Sequence, residues 1–151
     1  MNFTTKSLAV GLVILLPFVS GCGLIAPLVG SVHSIGVTEG DRQGLLPEEL
    51  KSFNTALYWG TPQQALSHVL PEGRQTVSEQ LRKSRSEERV VDSKVEYVDF
   101  ADDAYTAKVD VTFKYYKVPF YIVTERKELQ TWKFSMNGGW KLESREFKKE
   151  G

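Results

Sequence analysis

From Arg89 onward apolar and polar positions alternate. Tyr105, Ala107, Val109, Val111, Phe113 and Tyr115 fall on one side of an extended chain, and Thr106, Lys108, Asp110, Thr112 and Lys114 on the other. That period of two is the mark of a half-buried strand. Val91 to Phe100 reads as a weaker strand before it, with Asp102-Asp103 as the turn, and Glu125 to Met136 and Trp140 to Phe147 read as two more around Asn137-Gly138-Gly139. A two-residue loop in that last hairpin would set Trp132 and Phe134 on the face of Lys141 and Glu143 and split the apolar set. A three-residue loop, Asn137 to Gly139, instead pairs Met136 with Trp140 and Phe134 with Leu142. It predicts one cluster of Trp132, Phe134, Met136, Trp140 and Leu142, with a glycine where such a loop needs positive φ.

Before Arg89 the period is helical. Leu46-Pro47-Glu48-Glu49 looks like a helix start, with proline early and acidic side chains in the first turn. Leu50, Phe53, Ala56 and Leu57 then recur at helical spacing up to Gly60. Thr61-Pro62-Gln63-Gln64 restarts the helix as a capping box, Thr61 at the N-cap and Gln64 at the third position, followed by Ala65, Leu66 and Val69 up to Pro71. A third helix is expected over Arg74 to Lys83, with Val77 and Leu81 inward and Ser84 to Glu88 as an exposed loop.

Helices followed by antiparallel strands make an α+β domain, the helices packed on one face of a curved sheet of about four strands. The segment Leu57-Tyr58-Trp59-Gly60-Thr61-Pro62-Gln63-Gln64-Ala65, with Val69, Pro71, Arg74 and the strand pair TWKFSMNGGWKLES, resembles the nuclear transport factor 2-like superfamily over about residues 46 to 147. The resemblance implies a cone of helices and bent sheet, as in ketosteroid isomerase and polyketide cyclases; the cystatin-like family is the nearest alternative. A fold of this kind does not carry a function.

The N-terminus carries a different signal. Lys6 precedes an apolar run from Leu8 to Val19, of signal-peptide length and too short to span a bilayer alone. Val19-Ser20-Gly21-Cys22 follows and resembles the lipobox of bacterial lipoproteins. The resemblance implies cleavage between Gly21 and Cys22, and diacylglycerol and an N-acyl (palmitate-type) chain on Cys22. Two or three acyl chains hold a protein on a membrane far better than one. By resemblance to proteobacterial lipoproteins, where Asp after the cysteine favours retention in the inner membrane, Gly23 implies the outer membrane, facing the periplasm. The rival reading is an uncleaved anchor, because the chain has no charge between Lys6 and Glu39; Pro17, Pro27 and the glycines at 11, 21, 23, 30 and 36 speak against it. The expected organisation is a signal peptide over 1–21, the lipidated cysteine and a flexible, glycine-rich tether over 22–45, and the α+β domain over 46–151.

Charge and composition narrow the chemistry. Lys plus Arg and Asp plus Glu balance at 19 each, and losing residues 1–21 removes Lys6 alone, leaving 18 against 19. Such a balance makes no case for nucleic acid. One cysteine allows no internal disulfide and no thiolate cluster for zinc, and no other metal or cofactor spacing appears. His33 stands in the tether without a ligand-spaced neighbour. His68, the one histidine of the domain, is the candidate general base if the cone is open. Beside Val69 and Leu70, with no orienting acid identifiable in the sequence, a packed or surface histidine is the plainer account. Asp110, among Lys108 and Lys114, belongs to a solvated outer face. The unusual stretch is Val118-Pro119-Phe120-Tyr121-Ile122-Val123, apolar where two strands connect. It either extends the strands around a bulge at Pro119 or, exposed, makes Phe120, Tyr121 and Ile122 a patch for an envelope protein, a second subunit or lipid. Docking, or the holding of an apolar ligand in the cone, ranks first; a small isomerase, cyclase or hydrolase centred on His68 ranks second.

Overall fold

The computed structural model describes residues 36–148. The apolar run, the lipobox with Gly21 and Cys22, His33 and the first part of the expected tether lie outside the described residues. Four short helical segments precede four strands: α1 Glu39–Tyr58, α2 Pro62–Ser67, a 3-10 turn Pro71–Gly73, α3 Arg74–Glu87, β1 Glu88–Phe100, β2 Thr106–Lys117, β3 Phe120–Ser135 and β4 Gly139–Phe147. The strands form one antiparallel sheet in the order β1-β2-β3-β4, curved around the helices. Among the described residues no helix is long and apolar enough to cross a membrane.

Helix α1 begins seven residues before the expected start at Leu46, and Pro47 lies in its interior. The N-cap is Thr38: its hydroxyl accepts from the Asp41 N–H at 3.2 Å, and the Asp41 carboxylate accepts from the Thr38 N–H at 3.1 Å. Aspartate replaces the usual Glu or Gln of a capping box, and Gly40 and Gly44 each cost the helix about 1 kcal/mol relative to alanine, so local propensity hides this first turn. Tertiary contacts hold it instead. The buried Arg42 guanidinium donates to the carbonyls of Gly36, Val37 and Asp103, and Leu46 is fully buried. Residues 39–45, expected in the tether, therefore belong to the fold.

The capping box of α2 forms as read, Thr61 and Gln64 exchanging side-chain and backbone bonds. Helix α3 continues past Lys83 to Glu87 and passes directly into β1, so the loop expected over Ser84 to Glu88 is absent. The reason is Arg85. One of its terminal nitrogens donates to the carbonyls of Ala56, Leu57 and Gly60 at 3.1, 3.1 and 2.8 Å, satisfying the C-terminal end of α1 that helix geometry leaves unbonded.

The alternation of β2 holds: Ala107, Val109, Val111 and Phe113 are buried, and Lys108 and Lys114 are exposed. In the last hairpin the loop keeps three residues but sits one residue earlier, with Ser135 opposite Gly139, Phe134 opposite Trp140 and Trp132 opposite Leu142. Gly139 takes the positive φ, at 65°. A shift of one residue on both strands preserves which side chains share a face, so Trp132, Phe134, Trp140 and Leu142 cluster in the core. Met136 falls in the turn and is exposed, which corrects its expected place in the cluster.

Strand β3 starts at Phe120, not Glu125. Val118-Pro119, joined by a cis peptide, makes a tight turn with Lys117 opposite Phe120, and an irregularity separates that pair from Tyr115 opposite Thr124. The apolar stretch thus extends the strands into a hairpin arm. At the other edge the chain after α2 runs beside β4, the Leu142 N–H donating to the His68 carbonyl and the Leu70 N–H to the Leu142 carbonyl, both at 2.8 Å.

Candidate functional site

The interior between helices and sheet is filled. Phe53 meets Trp132 edge to face at 5.4 Å between ring centroids, Tyr58 lies 4.8 Å from Phe113, and Phe134 meets Trp140 at 5.5 Å. Both buried indoles find acceptors, Trp132 on the Gln130 side chain and Trp140 on the Arg42 carbonyl. No open cone surrounds His68.

His68 caps the C-terminal end of α2, its ring mostly buried and set edge-on to the buried Phe53 ring at 6.2 Å. Its Nδ1 lies 2.7 Å from the Glu49 carboxylate, and its Nε2 lies 3.5 Å from the Ser52 hydroxyl. Glu49 and Ser52 stand three residues apart on one face of α1, and Lys141 approaches the same Glu49 oxygen at 3.5 Å. The sequence gives no orienting acid because the pairing depends on how α2 docks on α1. Ser52 and His68 line an open groove of about 660 Å³ with Lys51, Thr55, Trp59 and Gln64.

A second polar cluster, unsuspected from the sequence, joins β1, β3 and β4. Arg145 and Glu128, both buried, bond in a fork, Nε donating to Oε2 at 3.1 Å and Nη2 to Oε1 at 2.7 Å. Arg126 Nε donates to Glu128 at 3.0 Å, and its Nη1 donates to Glu88 at 2.7 Å. Burial works against the Arg126 charge, yet the Glu88 and Glu128 carboxylates outweigh it and push its pKa up. Burial also raises the Tyr58 phenol well above its ordinary range, and the Glu128 charge adds to the effect. The period-two reading of β3 does hold the signal for this cluster, since Arg126, Glu128 and Gln130 share the parity of Trp132 and Phe134. In β4 a register irregularity between Thr131 and Trp132 lets Arg145 join the face of Leu142.

Over this cluster lies a cavity of about 450 Å³, bounded by Leu57, Tyr58, Leu81, Arg85, Arg89, Val90 and Tyr116, with Glu88 and Arg145 among its walls. Beyond it projects the hairpin arm. Phe120, Tyr121 and Ile122 are 70, 77 and 74% exposed, and Val118 and Val123 are exposed beside them. The Tyr121 ring rests 5.2 Å from that of Tyr116. Asp110 accepts from Lys148 at 2.6 Å on the outer face of the sheet, apart from all of these. Among the described residues no group of His, Cys, Asp and Glu is placed to hold a metal.

No protein-family model and no curated protein matches the chain. Solved structures do. A ketosteroid isomerase-like protein from Erwinia carotovora atroseptica SCRI1043 superposes with a TM-score of 0.56 at 13% identity, covering 68% of this chain and 91% of that one. A protein of unknown function with a cystatin-like fold from Nostoc punctiforme PCC 73102 gives 0.52 at 10% identity, over 70% and 88%. A conserved protein from Planctomyces limnophilus DSM 3776 gives 0.53 at 11%, over 68% and 91%. The chain has the α+β fold shared by ketosteroid isomerase-like and cystatin-like proteins, and at such identities the likeness shows the fold alone.

Proposed function

We propose that the chain is a lipid-anchored envelope protein, held through Cys22 on the outer membrane facing the periplasm, whose domain docks a protein partner through the β2–β3 hairpin arm. The observation that carries the reading is the arm itself. Four successive side chains, Phe120 to Val123, are more than half exposed on a hairpin tip among the described residues. Exposed apolar groups in such a run mark a contact surface, and aromatic residues with two torsions contribute large area at small entropy cost. A protein rather than a bilayer is favoured by the arm's position. Gly36, where the described chain enters, packs against Phe134 at the far end of β3, and the 12-residue β2 separates that end from the arm by about 35–40 Å at the usual rise per residue. The arm and the N-terminal end of the described domain thus lie at opposite ends of the sheet.

The test has two parts. Intact mass and membrane fraction of the precursor and its Cys22→Ala form check the anchor; a full-length, unacylated chain in the membrane would refute it. A photocrosslinking side chain at Tyr121, with one at Lys108 on the outer sheet face as control, checks the arm. A discrete protein adduct at 121, lost in Phe120→Ser/Ile122→Ser and absent at 108, is expected; lipid adducts, or equal adducts at both sites, would refute docking.

The Glu49–His68–Ser52 geometry favours a second reading, a hydrolase in the outer groove. The imidazole is oriented by a carboxylate and faces a hydroxyl, as nucleophilic catalysis requires. Ser52, however, lies inside α1, where the backbone N–H groups are used within the helix and cannot form an oxyanion site. Covalent labelling of Ser52 by a fluorophosphonate, abolished in His68→Ala, would establish this reading in place of docking.

A further inference from the structure

We propose that the cavity over the Glu128 cluster, between α1, α3 and β1, binds a small amphiphilic carboxylate, its acid group against Arg85, Arg89 and Tyr58 and its apolar body against Leu57, Leu81 and Val90. This goes beyond the docking arm and does not depend on it. The volume, about 450 Å³, falls within the range of small-molecule sites.

Charge is the first argument. Arg85, Arg89 and Arg145 stand in the cavity wall against a single wall carboxylate, Glu88, and directly behind it Arg126 faces Glu128. The group as a whole carries two more cations than anions. Glu128 and Glu88 are committed to Arg145 and Arg126, so neither carboxylate balances Arg85, whose Nη2 bonds the end of α1, or Arg89, whose Nη1 bonds main-chain carbonyls.

Unmade hydrogen bonds are the second. Two side chains of the cavity wall hold such groups, the Tyr58 hydroxyl and Arg85 Nε, each buried without a partner among the described residues. Buried polar groups are nearly always bonded, and an orphan calls for an explanation. Both can donate, so what this part of the wall lacks is an acceptor. A carboxylate is an acceptor with two oxygens and matches the guanidinium fork. The walls set the rest of the ligand: Leu57, Leu81, Val90 and the Trp59 and Tyr116 rings offer an apolar lining to an alkyl or aryl body.

The probes are octanoate and 1-octanol, which share an alkyl chain and differ in the acid group. Titration calorimetry uses the chain from Gly23 onward, which keeps the whole core described between residues 36 and 148. Octanoate is expected to saturate the protein at one site and to bind at least tenfold more tightly than octanol. Tyr58→Phe is expected to weaken octanoate about fivefold and leave octanol unchanged. Arg89→Gln tests the charge separately: the Arg89 guanidinium bonds only to the Arg85 and Glu88 carbonyls on the surface, so its loss leaves the fold intact and should weaken octanoate by a similar factor. No saturable octanoate binding, equal affinity for the two probes, or octanoate affinity unmoved by both substitutions would overturn the proposal.

Discussion

Replacing Glu128 by Gln should cost the fold more than any other single isosteric change in the domain. The carboxylate is fully buried and accepts from Arg145 at 2.7, 2.8 and 3.1 Å and from Arg126 at 3.0 Å. Glutamine fills the same volume but turns one acceptor into a donor aimed at a guanidinium, and it leaves two buried cations with only Glu88 between them. Breaking a buried pair on one side costs about 3–5 kcal/mol, chiefly because the surviving charge stays desolvated. Against a total stability of about 5–15 kcal/mol, that is about a fifth or more of what holds the domain together. For a domain of this size it corresponds to a fall in Tm on the order of 10–20 °C. Urea unfolding followed by the emission of Trp132 and Trp140, both buried, measures it directly. The double variant Glu128→Leu/Arg145→Met removes both charges and should lose less than Glu128→Gln alone, since well-packed apolar replacements of buried pairs are often neutral. A cost under about 1 kcal/mol for Glu128→Gln, or a double variant as costly as its two singles together, would refute the reasoning.

Three further outcomes are expected. Because burial raises the Tyr58 phenol above its unfolded value near 10, the unfolded chain releases that proton first; stability is therefore full below about pH 10 and falls as pH rises towards the folded value. Tyr58→Phe should remove that part of the alkaline slope in urea titrations taken from pH 9 upward. A methyl group at Gly73 would run into the Glu143 carbonyl oxygen, so Gly73→Ala should lower stability by about 1–3 kcal/mol in the same assay. Thr38→Ala removes the cap of α1 and should cost about 1 kcal/mol, with amide exchange accelerating at Asp41 and Arg42 first.

Much of the architecture is legible in the sequence because it rests on local rules. The capping box at Thr61, the alternation through β2 and the shared face of the two tryptophans depend on neighbours within a few residues, and all three form. Where the chain departs from expectation, distant partners decide. The first turn of α1 is weak on propensity and is held by Arg42 reaching Asp103, and α3 runs on into β1 because Arg85 bonds the end of α1. Met136 left the cluster because hairpin register is fixed by the turn, which the apolar pattern constrains only in parity. The site residues divide the same way. The exposed arm is visible as an apolar run in an unusual place, whereas the acid beside His68 requires knowing that α2 docks against α1. The Glu128 cluster has the parity of the buried face, but its charges are the residue types that ordinarily face solvent, and only their mutual pairing lets them go inside.

The contact between Tyr116 and Tyr121 joins the cavity to the hairpin arm. Tyr116 forms part of the cavity wall and Tyr121 is the most exposed ring of the arm, with their centroids 5.2 Å apart. A ligand that shifts the first ring changes the set of conformations open to the second, and so the free energy of whatever the arm grips. Such coupling is reciprocal: the factor by which cavity occupancy alters the arm's affinity is the factor by which a bound partner alters the affinity of the cavity. The domain would then act as a conditional adaptor, reporting the concentration of a small acid to a protein that never touches it.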